Sequence, residues 1–328
     1  MTLILSEKDV KKVIGIKDAI KAVESAFREY GKGMTQMPAK IYLHLAGHNG
    51  DFRAMPAYIE RTGACALKWV NVHPGNKRFN LPTVMAIITL SDPRNGYPLC
   101  IMAGSYATAL RTGAAGAVAA KYLARKDSKI AGMVGCGAQA ESQLKGLLEV
   151  VRLKEVRVWG KLGSDAVSFV RNMKRPGLKF TVAKDIENCV RPSDIVITTT
   201  PSRKPIVKLE WLKKGCHINA IGADAEGKEE LDPAILKKAK IVIDSWEQAS
   251  HSGEINVPLS KKLISRQDIY ADIGEIINGT KRGRINPQEI TVFDSTGLAI
   301  QDAAVADFVY RGALRRRIGK RMDLIPKS

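Results

Sequence analysis

Ile130-Ala131-Gly132-Met133-Val134-Gly135-Cys136-Gly137-Ala138-Gln139-Ala140 is the stretch whose reading decides the fold. Its first five residues form a short apolar run that ends in a turn signal, as a buried strand does. From Ala140 onward the apolar positions recur at Leu144, Leu147, Leu148 and Val151, the spacing of one helix face. Between strand and helix stands G-x-G-x-x-A. Gly135 permits the tight turn, Gly137 lets backbone approach a pyrophosphate, and Ala138 and Ala140 are small enough for the helix to pack on the strand. The free N–H groups and positive dipole end of such a helix attract phosphate. A glycine pattern alone is weak evidence. The strand before it and the helix after it make it a dinucleotide-binding turn.

Downstream of this turn the chain alternates strands and helices. Strands are expected at 130–134, 155–159, 179–182, 195–199, 217–221, 241–244 and 290–293, which predicts a doubly wound parallel sheet. Upstream the pattern differs. Ser6 and Asp9 resemble a helix N-cap box, and Ile16, Ala19, Ile20, Val23, Phe27 and Tyr30 follow helical spacing. Strands at 41–45, 52–58, 64–72, 83–90 and 98–102 then predict a mainly antiparallel sheet. The stretch 106–123 is rich in Ala and Gly, so its helix is expected to pack closely on a neighbour such as a second subunit. The tail 299–320 reads as one helix returning to the first domain. The fold class is therefore α/β, a Rossmann doubly wound sheet at 123–299, plus an α+β domain from 1–122 and 300–328.

Composition narrows the function. The 328 residues are 45% hydrophobic and 26% charged, as in a globular protein. No apolar run reaches the roughly 18 to 20 residues of a membrane span, and Ser6-Glu7-Lys8-Asp9 interrupts any secretory signal. Five scattered cysteines without C-x-x-C favour a reducing cytoplasm over disulfides or zinc. Cys136 stands where a helix dipole could lower its pKa, although a small turn filler is the plainer reading. The net charge of +19 is dispersed and aromatics are only 6%, so nucleic acid is not expected. The cluster Arg311, Arg315, Arg316, Arg317, Lys320 and Arg321 reads as a solvated face. No histidine spacing supports a metal site.

Four cations sit within small or apolar stretches of the first domain: Lys40, Arg53, Lys68 and Arg111. Lys and Arg are rarely buried without a partner, so either a substrate carboxylate or structural ion pairs account for them. In the second domain Asp224 follows a strand end at the carboxyl edge, where open α/β sheets bind ligands. It is a candidate acid/base, with a turn aspartate as the alternative. Thr199 and Ser295 end neighbouring strands and are candidate cofactor contacts. Where an acid normally binds the ribose 2′-hydroxyl stands Gly160, followed by Lys161. That favours NADP(H) over NAD(H).

These stretches resemble the ornithine cyclodeaminase/mu-crystallin family, and within it the archaeal alanine dehydrogenase branch. The resemblance is carried by Phe52-Arg53-Ala54-Met55-Pro56-Ala57, by Lys68-Trp69-Val70-Asn71-Val72-His73-Pro74-Gly75-Asn76 and by Leu81-Pro82-Thr83-Val84-Met85-Ala86. Leu110-Arg111-Thr112-Gly113, the glycine turn, Gly253-Glu254-Ile255-Asn256-Val257 and 293–302 extend it along nearly the whole chain. It implies a homodimer that moves a hydride between a nicotinamide cofactor and the α carbon of an amino or imino acid. It implies catalytic roles for Lys68 and Asp224, and substrate contacts from Lys40, Arg53, Met55, Lys68 and Arg111. It implies cofactor contacts at Thr83, Arg111, Ala138, Gln139, Thr199, Ile221 and Lys228, to which the reading of the residues adds Thr112, Gly135, Gly137, Lys161 and Ser295. Cyclodeaminases of the family carry a glutamate where this chain has Arg53, which would repel a substrate ammonium. The expected activity is reversible deamination of L-alanine to pyruvate and ammonia. Cyclic imino acid reduction, ornithine cyclodeamination and a non-catalytic mu-crystallin-like binder are the alternatives.

Overall fold

The computed structural model describes residues 1–325 and divides into two compact units, Met1–Arg111 with Leu298–Ser328, and Thr112–Gly297. Residues 326–328, assigned above to the first domain, lie outside the described residues.

The first unit is built on an eight-stranded sheet. Its order is Lys320–Met322, Thr2–Leu5, Pro98–Ala103, Val84–Ser91, Ala64–Val72, Gly50–Ile59 and Thr35–Gln36, with Ile41–Leu45 also paired to Gly50–Ile59. Only the pairing of Thr2–Leu5 with Pro98–Ala103 is parallel. The helices Ile16–Tyr30 and Ala299–Arg316 cover one face, and burial along Gly50–Ile59 alternates accordingly. Ser6 opens the first helix as expected, its hydroxyl accepting from the Asp9 N–H at 3.3 Å.

On the Ala64–Val72 strand the usual sidedness is inverted. Leu67 and Trp69 are 42% and 40% exposed, while Lys68 between them is 1% exposed on the helix-covered face. Phe52 stacks on Trp69 with ring centroids 5.0 Å apart, and Ile87 adds a further exposed apolar residue.

The second unit holds a parallel sheet of eight strands in the order Lys179–Val182, Glu155–Trp159, Ile130–Val134, Ile195–Thr198, His217–Ala220, Thr291–Asp294, Lys240–Ile243 and Ile269–Asp272. The chain order reverses between Ile130–Val134 and Ile195–Thr198, the switch point at which such sheets bind ligands. Central strands such as Ile195–Thr198 are buried throughout, as expected for a sheet covered on both faces.

Several expectations need correction. The division between units falls at 111/112 and 297/298, not at 122/123 and 299/300. Beyond Arg111 the helix Ser105–Leu123 packs on Ala138–Val150: a β carbon on Gly113 would collide with the Ser142 carbonyl, and one on Gly146 with the Gly113 carbonyl. The small residues thus serve contact within the second unit. The last helix stops at Arg316, because Arg317 turns left-handed (φ 55°), and Lys320–Met322 pairs with Thr2–Leu5 instead. Five further strands escaped the periodicity because they are short: Thr2–Leu5, Thr35–Gln36, Ile269–Asp272, and the ribbon of Arg203–Val207 with Glu229–Leu231.

Candidate active site

In the second unit Gly135 has φ +101°, a left-handed conformation that favours glycine. A β carbon there would stand 2.9 Å from Thr199 Oγ1, and that hydroxyl donates to the Gly135 carbonyl at 3.2 Å. Gly137 caps the 13-residue helix Ala138–Val150 and has open space where a side chain would be. Gly137 and Ala138 are exposed, so the first N–H groups of the helix are accessible to a phosphate. Gln139 is half-buried beside them, its Oε1 accepting from Ser142 at 3.3 Å. These residues fit a dinucleotide.

Other expected contacts are placed differently. Lys161 is exposed just after the Glu155–Trp159 strand. Gly160 cannot take a side chain without displacing Cys136 Sγ, so the position is occupied for packing reasons. The Cys136 thiol is pushed up by burial and by Asp165, contrary to the lowering that a helix dipole would give. Ser295 is buried, and its hydroxyl points to Asp244 at 3.5 Å. Ile221 and Thr112 are buried too, and the Thr112 carbonyl accepts from Gln143 at 2.8 Å. Thr83 and Arg111 belong to the first unit. Asp224 and Lys228, expected separately as base and cofactor contact, pair with each other: Lys228 Nζ stands 2.5 Å from Asp224 Oδ1. Asp224 remains 37% exposed and open to a reactant.

In the first unit the strand register collects the cations. Met55 lies directly opposite Lys68, and Arg53, Met55 and Lys68 share the buried face. Lys68 Nζ reaches Asp302 Oδ2 at 2.7 Å, and Arg111 Nε reaches Asp302 Oδ1 at 3.0 Å. Arg111 also donates to Gln301 at 3.0 Å. Two cations thus share one buried carboxylate, an excess of positive charge suited to a second carboxylate. Burial, repulsion from Arg111 and the nearby Lys40 hold the Lys68 ammonium down to about 7, with Asp302 opposing them. Arg53 is also paired: Nε donates to Asp51 Oδ1 at 2.8 Å and NH2 to Oδ2 at 3.3 Å, with its guanidinium 5.2 Å from the Tyr42 ring centre.

Asp302 was missed as a functional residue, although the matching stretch ended on it. Its signal is the one that singled out the cations. Gln301 and Asp302 are polar residues among Ala299, Ile300, Ala303 and Val305, on a face that the structure buries. Among the described residues no group of three or more His, Cys, Asp or Glu could hold a metal ion, and no helix is long and apolar enough to cross a membrane.

The profile of the ornithine cyclodeaminase/mu-crystallin family matches residues 1–316. The chain belongs to that family. An alanine dehydrogenase from Archaeoglobus fulgidus is 51% identical over 98% of both chains. A solved archaeal alanine dehydrogenase dimer with bound NAD is 51% identical, with a TM-score of 0.95 over 99% of each chain. The Delta(1)-pyrroline-2-carboxylate reductase of Thermococcus litoralis, solved with NADH and L-proline, is 40% identical, with a TM-score of 0.95 over 98% of this chain and 100% of that one. This member of the family is an enzyme, an oxidoreductase with a Rossmann-like dinucleotide-binding unit.

Proposed function

We propose that this protein is an NAD(P)-dependent L-alanine dehydrogenase, interconverting L-alanine, water and oxidised cofactor with pyruvate, ammonium, a proton and reduced cofactor. The observation that carries the reading is the Lys68–Asp302–Arg111 cluster, in which two buried cations share one acid. A substrate carboxylate supplies the missing negative charge there, and Arg111 can hold it through the nitrogens left free of Asp302. Lys40 adds to the same positive field, and Met55 lies opposite Lys68 in the strand register.

When bound, a nicotinamide accepts a hydride from the α carbon, or returns it in the reverse direction. Gly135, Gly137 and the start of Ala138–Val150 would hold the pyrophosphate, with Gln139 and Thr199 alongside. Asp224, oriented by Lys228, takes a proton from the water that attacks the imino carbon and returns it as ammonia leaves. Positioning and charge neutralisation supply most of the rate, and the proton transfer adds about 10²–10⁴-fold.

Cyclic imino acid reduction is the second reading, favoured by the 40% identity to a pyrroline-2-carboxylate reductase. The same cations serve either carboxylate. Ornithine cyclodeamination is disfavoured, because Arg53 stands where an acid would receive the second ammonium. Its pairing with Asp51 lessens the repulsion without replacing that acid.

NADP(H) is accepted and favoured, because Gly160 and Lys161 rather than an acid directly follow the Glu155–Trp159 strand and Lys161 is exposed there; the relatives cited above hold NAD and NADH. The enzyme is a homodimer like its archaeal relative, associating through the exposed apolar face of Leu67, Trp69 and Ile87. We place the enzyme in a reducing cytoplasm, on the scatter of its five cysteines without C-x-x-C spacing.

One panel tests the proposal: pyruvate with ammonia, pyrroline-2-carboxylate and L-ornithine, each with both cofactors, followed by nicotinamide absorbance. Pyruvate with ammonia should give the highest kcat/KM. Faster turnover of pyrroline-2-carboxylate would install the second reading, and efficient proline formation from ornithine would remove both.

A further inference from the structure

One buried carboxylate ties two strand-end loops of the second unit together. Thr200 follows the Ile195–Thr198 strand and Gly222 follows His217–Ala220. Glu230, on the short strand Glu229–Leu231, is fully buried between them. Its Oε1 accepts from the Thr200 N–H at 2.6 Å and from the Thr200 hydroxyl at 2.7 Å. Its Oε2 accepts from the Gly222 N–H at 2.9 Å. The loops meet backbone to backbone, since a β carbon on Gly222 would collide with the Thr200 carbonyl and stand 2.5 Å from Glu230 Oε2.

Both oxygens of Glu230 face donors, so the anion fits and the neutral acid would turn its proton against one of them. Glu254 is also fully buried, but its donors serve one oxygen only. Its Oε1 accepts from the N–H groups of Glu230 at 2.8 Å and Leu231 at 2.6 Å, while Oε2 has no hydrogen-bond partner. Burial and the charge of Glu230 push the Glu254 carboxyl well above its usual range, with Asp294 adding to the effect. Burial pushes Glu230 up as well, against hydrogen bonds from Thr200 and Gly222 that pull it down. A proton held by this pair resides on Glu254.

The two loops carry the residues assigned to the reaction. Thr200 follows Thr199, whose hydroxyl is bonded to the dinucleotide turn at Gly135, and Gly222 stands two residues before Asp224. We propose that Glu230 is a positioning residue, its carboxylate setting the Asp224 loop against the Thr199–Thr200 loop so that Asp224 is presented in one geometry. This inference rests on the acid/base reading of Asp224 given above.

Glu230→Gln keeps size and shape but sets an amide N–H2 against a backbone or hydroxyl donor. With whichever panel substrate the wild type turns over, kcat should fall about 10- to 100-fold, the range that a displaced catalytic group produces. KM and the dissociation constant for reduced cofactor, read by fluorescence titration, should stay within about 3-fold. The acidic limb of the kcat–pH profile should shift. Gly222→Ala opens the same contact from the other side and should reproduce the loss, and it decides the matter if Glu230→Gln does not fold. Glu254→Gln mimics a neutral acid and should keep kcat within about 3-fold. A folded Glu230→Gln enzyme with a lower melting temperature but wild-type kcat and pH profile would overturn the proposal, as would a Glu254→Gln enzyme equally impaired. Asp224→Asn is measured in parallel. Normal turnover there sinks the acid/base reading and this inference with it. Loss there beside normal turnover in Glu230→Gln sinks this inference alone.

Discussion

The dinucleotide turn of the second unit and the cation cluster of the first are built by different means. The turn occupies six consecutive residues, Gly135 to Ala140, and works through backbone: a left-handed glycine, an open glycine and a helix start. The cluster joins a strand residue, Lys68, to helix residues far along the chain; Arg111 and Asp302 are 191 positions apart. A turn of this kind carries no buried charge and has little to lose electrostatically. The cluster takes two cations and an acid out of water, so each member depends on the others. One site is held by chain geometry and the other by charge balance.

The sharpest way to break that contrast is Asp302→Asn. It leaves Lys68 and Arg111 buried without their acid, and breaking such a pair costs about 3–5 kcal/mol. Urea unfolding of wild type and variant at neutral pH reads this directly. A loss below about 1 kcal/mol would mean that the cluster is not held by charge.

Asp224→Asn comes next and should do the reverse. It should lower kcat by at least about 10²-fold and leave stability nearly unchanged, because Asp224 is 37% exposed and its pairing with Lys228 is local. Near-normal turnover would remove the proton-transfer role.

A third prediction uses pH. Lys68 titrates at about 7 in the folded protein, against an ordinary value of 10.5. Between those values the unfolded chain holds a proton that the folded chain lacks. Unfolding free energy from this group therefore rises with pH across that window, with a slope approaching about 1.4 kcal/mol per unit. Below pH 7 both states are protonated and the slope vanishes. Lys68→Met should lose this rise in urea titrations at pH 7, 8 and 9. Parallel curves for the two proteins would contradict the charge excess assigned to the cluster.

The smallest effect is expected at the edge of the turn. Lys161→Ala should weaken NADP(H) relative to NAD(H) by only a few-fold, since an exposed ion pair is worth about 0.2–1 kcal/mol. The ratio of kcat/KM values for the two cofactors measures it. An unchanged ratio would leave Lys161 as a solvated residue. Gly160→Asp would not be a clean probe, because its β carbon would press on Cys136.

Legibility followed the same divide. The strands from Ile130–Val134 to Thr291–Asp294 were largely readable because they are apolar, bounded by turns and separated by helices. Ile269–Asp272 and the strands of the two-stranded ribbon were not, being three to five residues long with partners that only the fold supplies. Lys68 and Arg111 stood out as cations in apolar company, and both pair with Asp302. Arg53 stood out for the same reason and turned out to be paired two residues away, with Asp51. Asp302 carried the same signal as the cations, a charge in apolar company, whereas nothing in the local sequence of Glu230 and Glu254 reports that they are buried.

The sequence by itself determined the nucleotide turn, the alternation that builds the parallel sheet and the polar residues set among apolar ones. These are local properties: turn chemistry, period and composition act over a few residues. Only the tertiary structure decided which of the 33 acids neutralises which cation, and that Trp69 faces outward while Lys68 faces in. It also decided that one glutamate binds two loops. Pairing energies in the interior depend on burial and on partners distant in the chain, and burial exists only once the chain has folded.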